Sequence, residues 1–516
     1  MGTPSPTMAS QLRGGLGAPD APRALTRNGI VEGMVGEKGV GTFLGVPFAA
    51  PPIGDLRWRA PAPPADWSGV RPAKAFAKAP VQKSALDALI GNLGGQSEDC
   101  LYLNVWTPAR NDKERLPVMV WIHGGAFAAG ATSQPVFDGT RLAALGVVVV
   151  SVAYRVGHMG FLAHPELTQE GNGSSGNYGM LDQIAGLRWV RDNIAHFGGD
   201  ERQVTIFGES AGGMAVSLLC TSPMAKGLFH RAISQSGGSF EPPKLAREGR
   251  IQYMRSRRVA EAEGVRMLAT LGSASIASAR TRPATEVIQI PGEWWPVFDG
   301  HVLPGDSFDL YSAGRFNDTP VLIGSNSDEG LLFTSPNVTS AQFVERIKAA
   351  YGENADSVLA AYPHDTAAAA FKATKDIFRD AEIAWHTWTW ARLQAKHGRG
   401  QAFVYYFDHR PAKFPDGADH AMDLGYVFGN LDKDRRQLVA PDDWSMSRTM
   451  MSYWINFART GNPNGTGLAP WQPYSTARPE LLHLTLDPRM APVPHMDKLQ
   501  VLDAHFQRRR ELARRL

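Results

Sequence analysis

The stretch FGGDERQVTIFGESAGG, Phe197 to Gly213, reads as three elements in succession. Val204–Phe207 is a strand, Gly208–Gly212 (Gly-Glu-Ser-Ala-Gly) a sharp turn, and the run Met214, Ala215, Val216, Ser217, Leu218, Leu219 a helix. A Gly-x-Ser-x-Gly turn between a strand and a helix is the pattern of a nucleophile elbow. The serine sits on a strained turn, its Oγ is pushed out of the sheet edge, and the helix N-terminus faces the charge that develops there. The flanking residues must be small because strand and helix approach closely. Five residues alone would match by chance in a chain of 516; the strand before them and the helix after them give the match its meaning. Ser210 is the candidate nucleophile.

Working outward, short apolar runs alternate with helical stretches. Strands are expected at Val118–Ile122, Val147–Val152, Val204–Phe207, Ala232–Gln235, Val321–Ile323 and Ala402–Tyr406. Runs such as VVVVSV lack polar alternation, as strands covered on both faces of a mostly parallel sheet do. Leu181–Ile194 has helical spacing, and Ala381–Leu393 carries Trp385, Trp388 and Trp390, read as helix packing rather than a ligand box. Strands alternating with helices predict a doubly wound α/β fold with long insertions. Residues 1–27, rich in Pro, Gly, Ser and Ala, are expected to be a loose N-terminal tail, and residues 28–516 a single domain.

Composition narrows the function classes. The chain is 43% hydrophobic and 20% charged, with a net charge of +3, too balanced to suggest nucleic acid as a partner. The arginines at 508, 509, 510, 514 and 515 read as the solvated face of a terminal helix. Two cysteines, Cys100 and Cys220, make no disulfide framework and no metal-ligand spacing. No secretory signal is visible in the first thirty residues and no apolar run is long enough to span a bilayer. The expectation is a soluble, cytoplasmic protein without a membrane anchor.

A serine hydroxyl needs a base, an acid to orient that base, and donors for the oxyanion. VWIHGGAFAAG supplies donors: Gly124 and Gly125 follow a buried strand, and with the N–H of Ala211 they make an oxyanion hole. In the order serine, acid, histidine, the histidines at 123, 158, 164, 196 and 301 come too early to be the base. His420, in the Gly/Asp-rich stretch GADHAMDLGYVFGN, has the context of a catalytic loop. GSNSDEG, Gly324 to Gly330, follows a strand and offers two acids, Asp328 and Glu329, between which spacing does not choose.

Taken together, these pieces resemble the type-B carboxylesterases of the cholinesterase-like α/β-hydrolase family, near its bacterial para-nitrobenzyl-esterase-like members. The resemblance runs along nearly the whole chain: FLGVPFAAPPIGDLRWRAP, SEDCLYLNVWTP, WIHGGAF, YRVGHMGFL, GNYGMLDQ, the elbow, AISQSG, GSNSDEG, the histidine loop and YWINFARTGNPN. It implies an α/β-hydrolase fold: a mostly parallel, twisted central sheet flanked by helices, with long loop and helical insertions around the active site. It implies a serine hydrolase that cleaves small-molecule carboxylic esters through an acyl-enzyme, with Ser210, Glu329 and His420 as triad and Gly124, Gly125 and Ala211 as oxyanion hole. No cofactor or metal is expected, and the protein would be a monomer or small homo-oligomer. Glu209, beside the nucleophile, reads as electrostatic support or as elbow packing. The match also suggests ion pairs Arg57–Glu98 and Arg155–Asp182.

Departures from the family pattern matter too. The cysteine of the EDC motif has no upstream partner, so Cys100 is expected to be a free buried thiol. The loop from Pro80 to Cys100 contains no aromatic residue, where cholinesterases use a tryptophan to hold a quaternary ammonium, so a choline ester is not the expected substrate. The alternatives are a lipase, a specialised hydrolase of aromatic or polymeric esters or carbamates, and a non-catalytic binding protein of the same family. Loops near Trp294 and Trp295 and between Leu331 and Asn337 are expected to build the acyl and alcohol pockets.

Overall fold

Residues 15–18, 21–83, 93–242, 254–292, 294–434 and 439–515 are described by a computed structural model. Most of the tail before residue 21, and residues 84–92 of the loop without aromatics, lie outside them. Among the described residues the central sheet has eleven strands. In chain order they are β1 (Met34–Val35), β2 (Gly41–Pro47), β3 (Tyr102–Thr107), β4 (Leu116–Ile122), β5 (Val148–Val152), β6 (Gly199–Glu209), β7 (Arg231–Gln235), β8 (Val321–Asn326), β9 (Ala402–Phe407), β10 (Glu480–Leu484) and β11 (Arg489–Pro492). Their spatial order is 1-2-3-5-4-6-7-8-9-10-11. From β5 through β10 the pairing is parallel; β1, β2 and β3 at one edge and β11 at the other pair antiparallel.

Strand periodicity explains why there are two cores. Val118, Val120, Ile122, Val148 and Val150 point into one cluster, and Met119, Trp121 and Val149, on the opposite face, into another. The first is covered by helices α1 (Tyr178–Asn193) and α2 (Ala211–Thr221). The second is covered by α3 (Asp423–Phe428) and α4 (Pro441–Thr460), through side chains such as Val427, Trp454 and Phe457. A sheet buried on both faces selects the unbroken β-branched runs seen in the sequence.

This order contains a reversal. The chain leaves β4 toward β5 on one side and leaves β6 toward β7 on the other, although β4 and β6 are neighbours. Connections that diverge from adjacent strands leave a crevice at their carboxyl ends, the place where such sheets bind ligands. Ile122 pairs with Gly208 there, so His123–Gly125 and Glu209–Ser210 emerge side by side.

Two expectations need correction. Residues 23–26, assigned to the loose tail, form a strand paired antiparallel with Gly29–Glu32, and Arg23 bonds Glu32 across it at 2.6 Å. A Thr26-Arg27-Asn28-Gly29 turn closes the hairpin, so order begins earlier than composition suggested. The C-terminal arginines do not all face solvent. On helix α5 (Met496–Arg515), Arg509 and Arg510 are buried, and the Arg510 guanidinium lies 3.8 Å from the Phe308 ring centre and 3.4 Å from Asp306. Every third or fourth residue of a packed helix turns inward, whatever its charge. Trp385 and Trp390 are fully buried and Trp388 nearly so, as helix packing requires. Cys100 and Cys220 are buried free thiols, and the pairs Arg57–Glu98 and Arg155–Asp182 are present at 2.6 and 2.7 Å.

Candidate active site

The elbow is strained in the way its sequence implies. Ser210 has φ 55° and ψ −124°, a left-handed conformation that a serine adopts at a cost of about 1–3 kcal/mol. Its N–H donates to the Gln235 carbonyl at 2.9 Å and its carbonyl accepts from Met214 N–H at 2.8 Å, so strand, turn and helix are held together through one residue. A Cβ at position 212 would lie 2.1 Å from the Ile122 carbonyl oxygen, which excludes every residue but glycine there.

Gly124 lies against the serine: a Cβ on it would stand 3.1 Å from Ser210 Cβ and 3.0 Å from a Glu209 carboxylate oxygen. The N–H groups of Gly124, Gly125 and Ala211 donate to no acceptor among the described residues. His123, just before them, is buried and stacks on Tyr154 at 4.4 Å; its Nδ1 bonds the Gly124 carbonyl at 2.8 Å. Burial lowers its pKa to about 4, so it is a neutral prop for the glycine loop.

On the other side, β8 ends in the acid loop. Between Asp328 and Glu329, which spacing left open, it is Glu329 that meets the imidazole: its Oε2 is 2.5 Å from His420 Nδ1, while its Oε1 accepts the Asn326 N–H at 2.6 Å. Asp328 turns away to Lys375 at 2.7 Å. The acid and histidine loops are stitched to each other. Asp328 N–H donates to the Ala418 carbonyl at 2.8 Å, Asn326 Nδ2 to the Asp419 carbonyl at 2.8 Å, and Ala418 N–H to Ser327 Oγ at 2.8 Å.

His420 Nε2 faces the elbow, 3.3 Å from Glu209 Oε1. Burial works against the charged ring, but the carboxylates of Glu209 and Glu329 outweigh it and hold the His420 pKa above its ordinary value. The reading of Glu209 as mere elbow packing therefore understates its contact with the histidine.

Sequence reasoning missed the support beneath this ring. Asp423, fully buried at the start of α3, accepts from Gln235 Nε2 at 2.8 Å and from the Tyr405 hydroxyl at 3.0 Å, tying the histidine loop to β7 and β9. Its only trace in the sequence is an acid three residues after the candidate histidine. Phe333, inside the Leu331–Asn337 segment expected to build a pocket, meets His420 edge-on at 5.1 Å and stacks on Phe378 at 4.4 Å. Among the described residues no cluster of three or more His, Cys, Asp or Glu is disposed to hold a metal ion, and no helix is long and apolar enough to cross a membrane.

The chain as a whole has counterparts among known proteins. Residues 20–502 match the model of the carboxylesterase family. Fumonisin B1 esterase of Sphingopyxis macrogoltabida is 38% identical over 469 residues, covering 86% of this chain and 83% of that one. Para-nitrobenzyl esterase of Bacillus subtilis (strain 168) is 37% identical over 493 residues, 92% of this chain and 97% of that one. A solved para-nitrobenzyl (PNB) esterase structure superposes with a TM-score of 0.82 at 33% identity, covering 94% of this chain and 99% of that one. With an α/β-hydrolase fold and a match spanning nearly its whole length, the chain belongs to the carboxylesterase family and is a carboxylic ester hydrolase.

Proposed function

We propose that ester cleavage runs through Ser210, His420 and Glu329, with the amides of Gly124, Gly125 and Ala211 receiving the oxyanion and Glu209 supporting the histidine. The single observation that carries the reading is the His420 ring, bonded through Nδ1 to Glu329 and turned through Nε2 toward the Glu209–Ser210 corner.

With Nδ1–H donated to Glu329, Nε2 presents a lone pair. It takes the proton of Ser210 Oγ as that oxygen bonds to the ester carbonyl carbon. The carbonyl oxygen becomes an anion and is met by three N–H groups already free of other partners, each worth on the order of 10²–10³ in rate. The proton on His420 then passes to the alkoxy oxygen as its bond to carbon breaks, and the alcohol leaves. Water, deprotonated by the same nitrogen, attacks the acyl-serine; the carboxylic acid departs and Ser210 regains its proton. In the intermediate the ring is an imidazolium between two carboxylates. Glu209 thus stabilises a charge that is absent from the neutral-ring form that starts the reaction, which is how an electrostatic group lowers a barrier.

Ser210→Ala tests the reading. The purified variant is expected to lose activity on 4-nitrophenyl butyrate by on the order of 10³-fold or more while keeping its circular dichroism spectrum. Turnover near the wild-type rate would refute the assignment.

A further inference from the structure

The glycine loop runs on from the oxyanion donors as a tight turn, Gly125 to Gly130. Ala126 and Phe127 in it are not glycines, yet both sit at φ 55°, in the left-handed region. Such conformations persist only where the surrounding structure over-determines them. The Gly125 carbonyl accepts the N–H groups of Ala128 and Ala129 at 3.0 and 2.9 Å, which fixes the start of the turn. Gly130, which closes it, is held by a side chain instead. Gln82 Oε1 accepts the Gly130 N–H at 2.8 Å, and Gln82 Nε2 donates to the Gly130 carbonyl at 2.9 Å, the exchange one strand would offer another. Gln82 Nε2 also donates to the Pro80 carbonyl at 2.9 Å, and the Gln82 main-chain N–H to Gln96 Oε1 at 3.0 Å. The Gln82 side chain is buried.

Gly130 connects this clamp to the reacting centre. A Cβ on it would lie 2.3 Å from His123 Nδ1 and 2.7 Å from the Gly124 carbonyl oxygen, so its backbone rests against the two atoms that are hydrogen-bonded to each other. The Gly124 carbonyl and the Gly125 N–H belong to one planar peptide and point in opposite directions. Whatever fixes the carbonyl therefore aims the N–H. If Gly130 moved, His123 would lose its backing, the peptide could rotate, and a donor would leave its place.

We propose that Gln82 is a positioning residue for the oxyanion hole, acting through Gly130 and His123 on the Gly124–Gly125 peptide. It touches no reacting atom. The inference rests on Ser210 as nucleophile and on the amides of Gly124, Gly125 and Ala211 as the hole.

Trifluoromethyl hexyl ketone tests it. Ser210 Oγ bonds to its carbonyl carbon, the carbonyl pair moves onto oxygen, and the serine proton passes to His420 Nε2, so the adduct leaves an oxyanion facing the amides. The pH at which that oxygen takes up a proton, followed by fluorine NMR, reads the hole directly. Gln82→Met keeps the side-chain length and removes its hydrogen bonds. In it the titration is expected about one pH unit higher than in the wild type, with kcat on 4-nitrophenyl butyrate about tenfold lower and KM within about twofold. A side chain that merely stiffens the fold would lower the thermal midpoint and leave the titration in place, and an unmoved titration overturns the proposal. Gln96→Leu, at an exposed position, withdraws only the acceptor of the Gln82 N–H. It should move both quantities the same way, by about twofold in kcat and about 0.3 pH unit. Should Gln82→Met fail to fold, wild-type values in Gln96→Leu overturn the proposal. An adduct that forms equally on Ser210→Ala would instead refute the nucleophile, and a wild-type adduct titrating no lower than the free hydrate of the ketone would refute the hole itself.

Discussion

His420 has a carboxylate at each ring nitrogen, and the two make different demands on it. Glu329 fixes the tautomer and the plane of the ring; Glu209 favours the charged form. Only the neutral ring can accept the serine proton, so kcat/KM should rise with pH as His420 loses its own proton, above the pH at which an ordinary histidine would. Glu209→Gln removes a negative charge that raises this pKa. The acid limb of the pH–kcat/KM profile should therefore move to lower pH, while the plateau falls by about tenfold because the imidazolium intermediate loses support. A limb that stays in place would mean Glu209 is only packing. Glu329→Gln preserves the volume but lets the amide hold the wrong tautomer. Activity should drop on the order of 10³–10⁴-fold with the fold intact, measured on the same 4-nitrophenyl ester.

Among elements, the decisive feature is that the acid and histidine loops are bonded to each other and braced from below. Asp423 is the brace, and it touches neither reacting atom. Asp423→Ala should lower kcat on the order of 10²-fold with little change in KM, since a displaced ring spoils proton transfer and leaves substrate contacts alone. A matching loss of thermal stability with unchanged kcat would make Asp423 structural instead. This level is also where sequence and structure parted. The parallel strands were legible because burial on both faces demands unbroken runs such as VVVVSV. The antiparallel edge was not: GTFLGVP carries two glycines and a proline, and YLNVWT interrupts its apolar residues with Asn104. Ser210, the glycine loop and His420 could be found because strain and order mark them locally. Glu329 needed the family resemblance, and the partners of Asp423 lie on β7 and β9, so only the tertiary fold reveals that support.

In the molecule as a whole, the reversal between β4 and β6 decides where chemistry can occur, and the C-terminal helix Met496–Arg515 closes the insertions over one side of the sheet. Arg510 is its anchor, buried against Phe308 and Trp385 and 3.4 Å from Asp306. Burial pushes the Asp306 carboxyl up to about 7 even with this partner beside it. Arg510→Met should lower the thermal unfolding midpoint at about pH 8.5, where the carboxyl beside the arginine is ionised and the variant must either bury it unpaired or bind a proton. At pH 5 Asp306 is protonated and the deficit should shrink; an equal deficit at both pH values would show that packing, not charge, is what the arginine provides.

The stitching of the two loops has a bearing on evolution. Glu329 and His420 stand 91 positions apart, yet their loops leave adjacent strands and are laced together by main-chain bonds within a few residues of the pair. The helical excursion between them is no free insert: its Lys375 holds Asp328 and its Phe378 stacks on Phe333, the ring that meets His420, so a segment exchanged from a relative would have to bring both contacts with it.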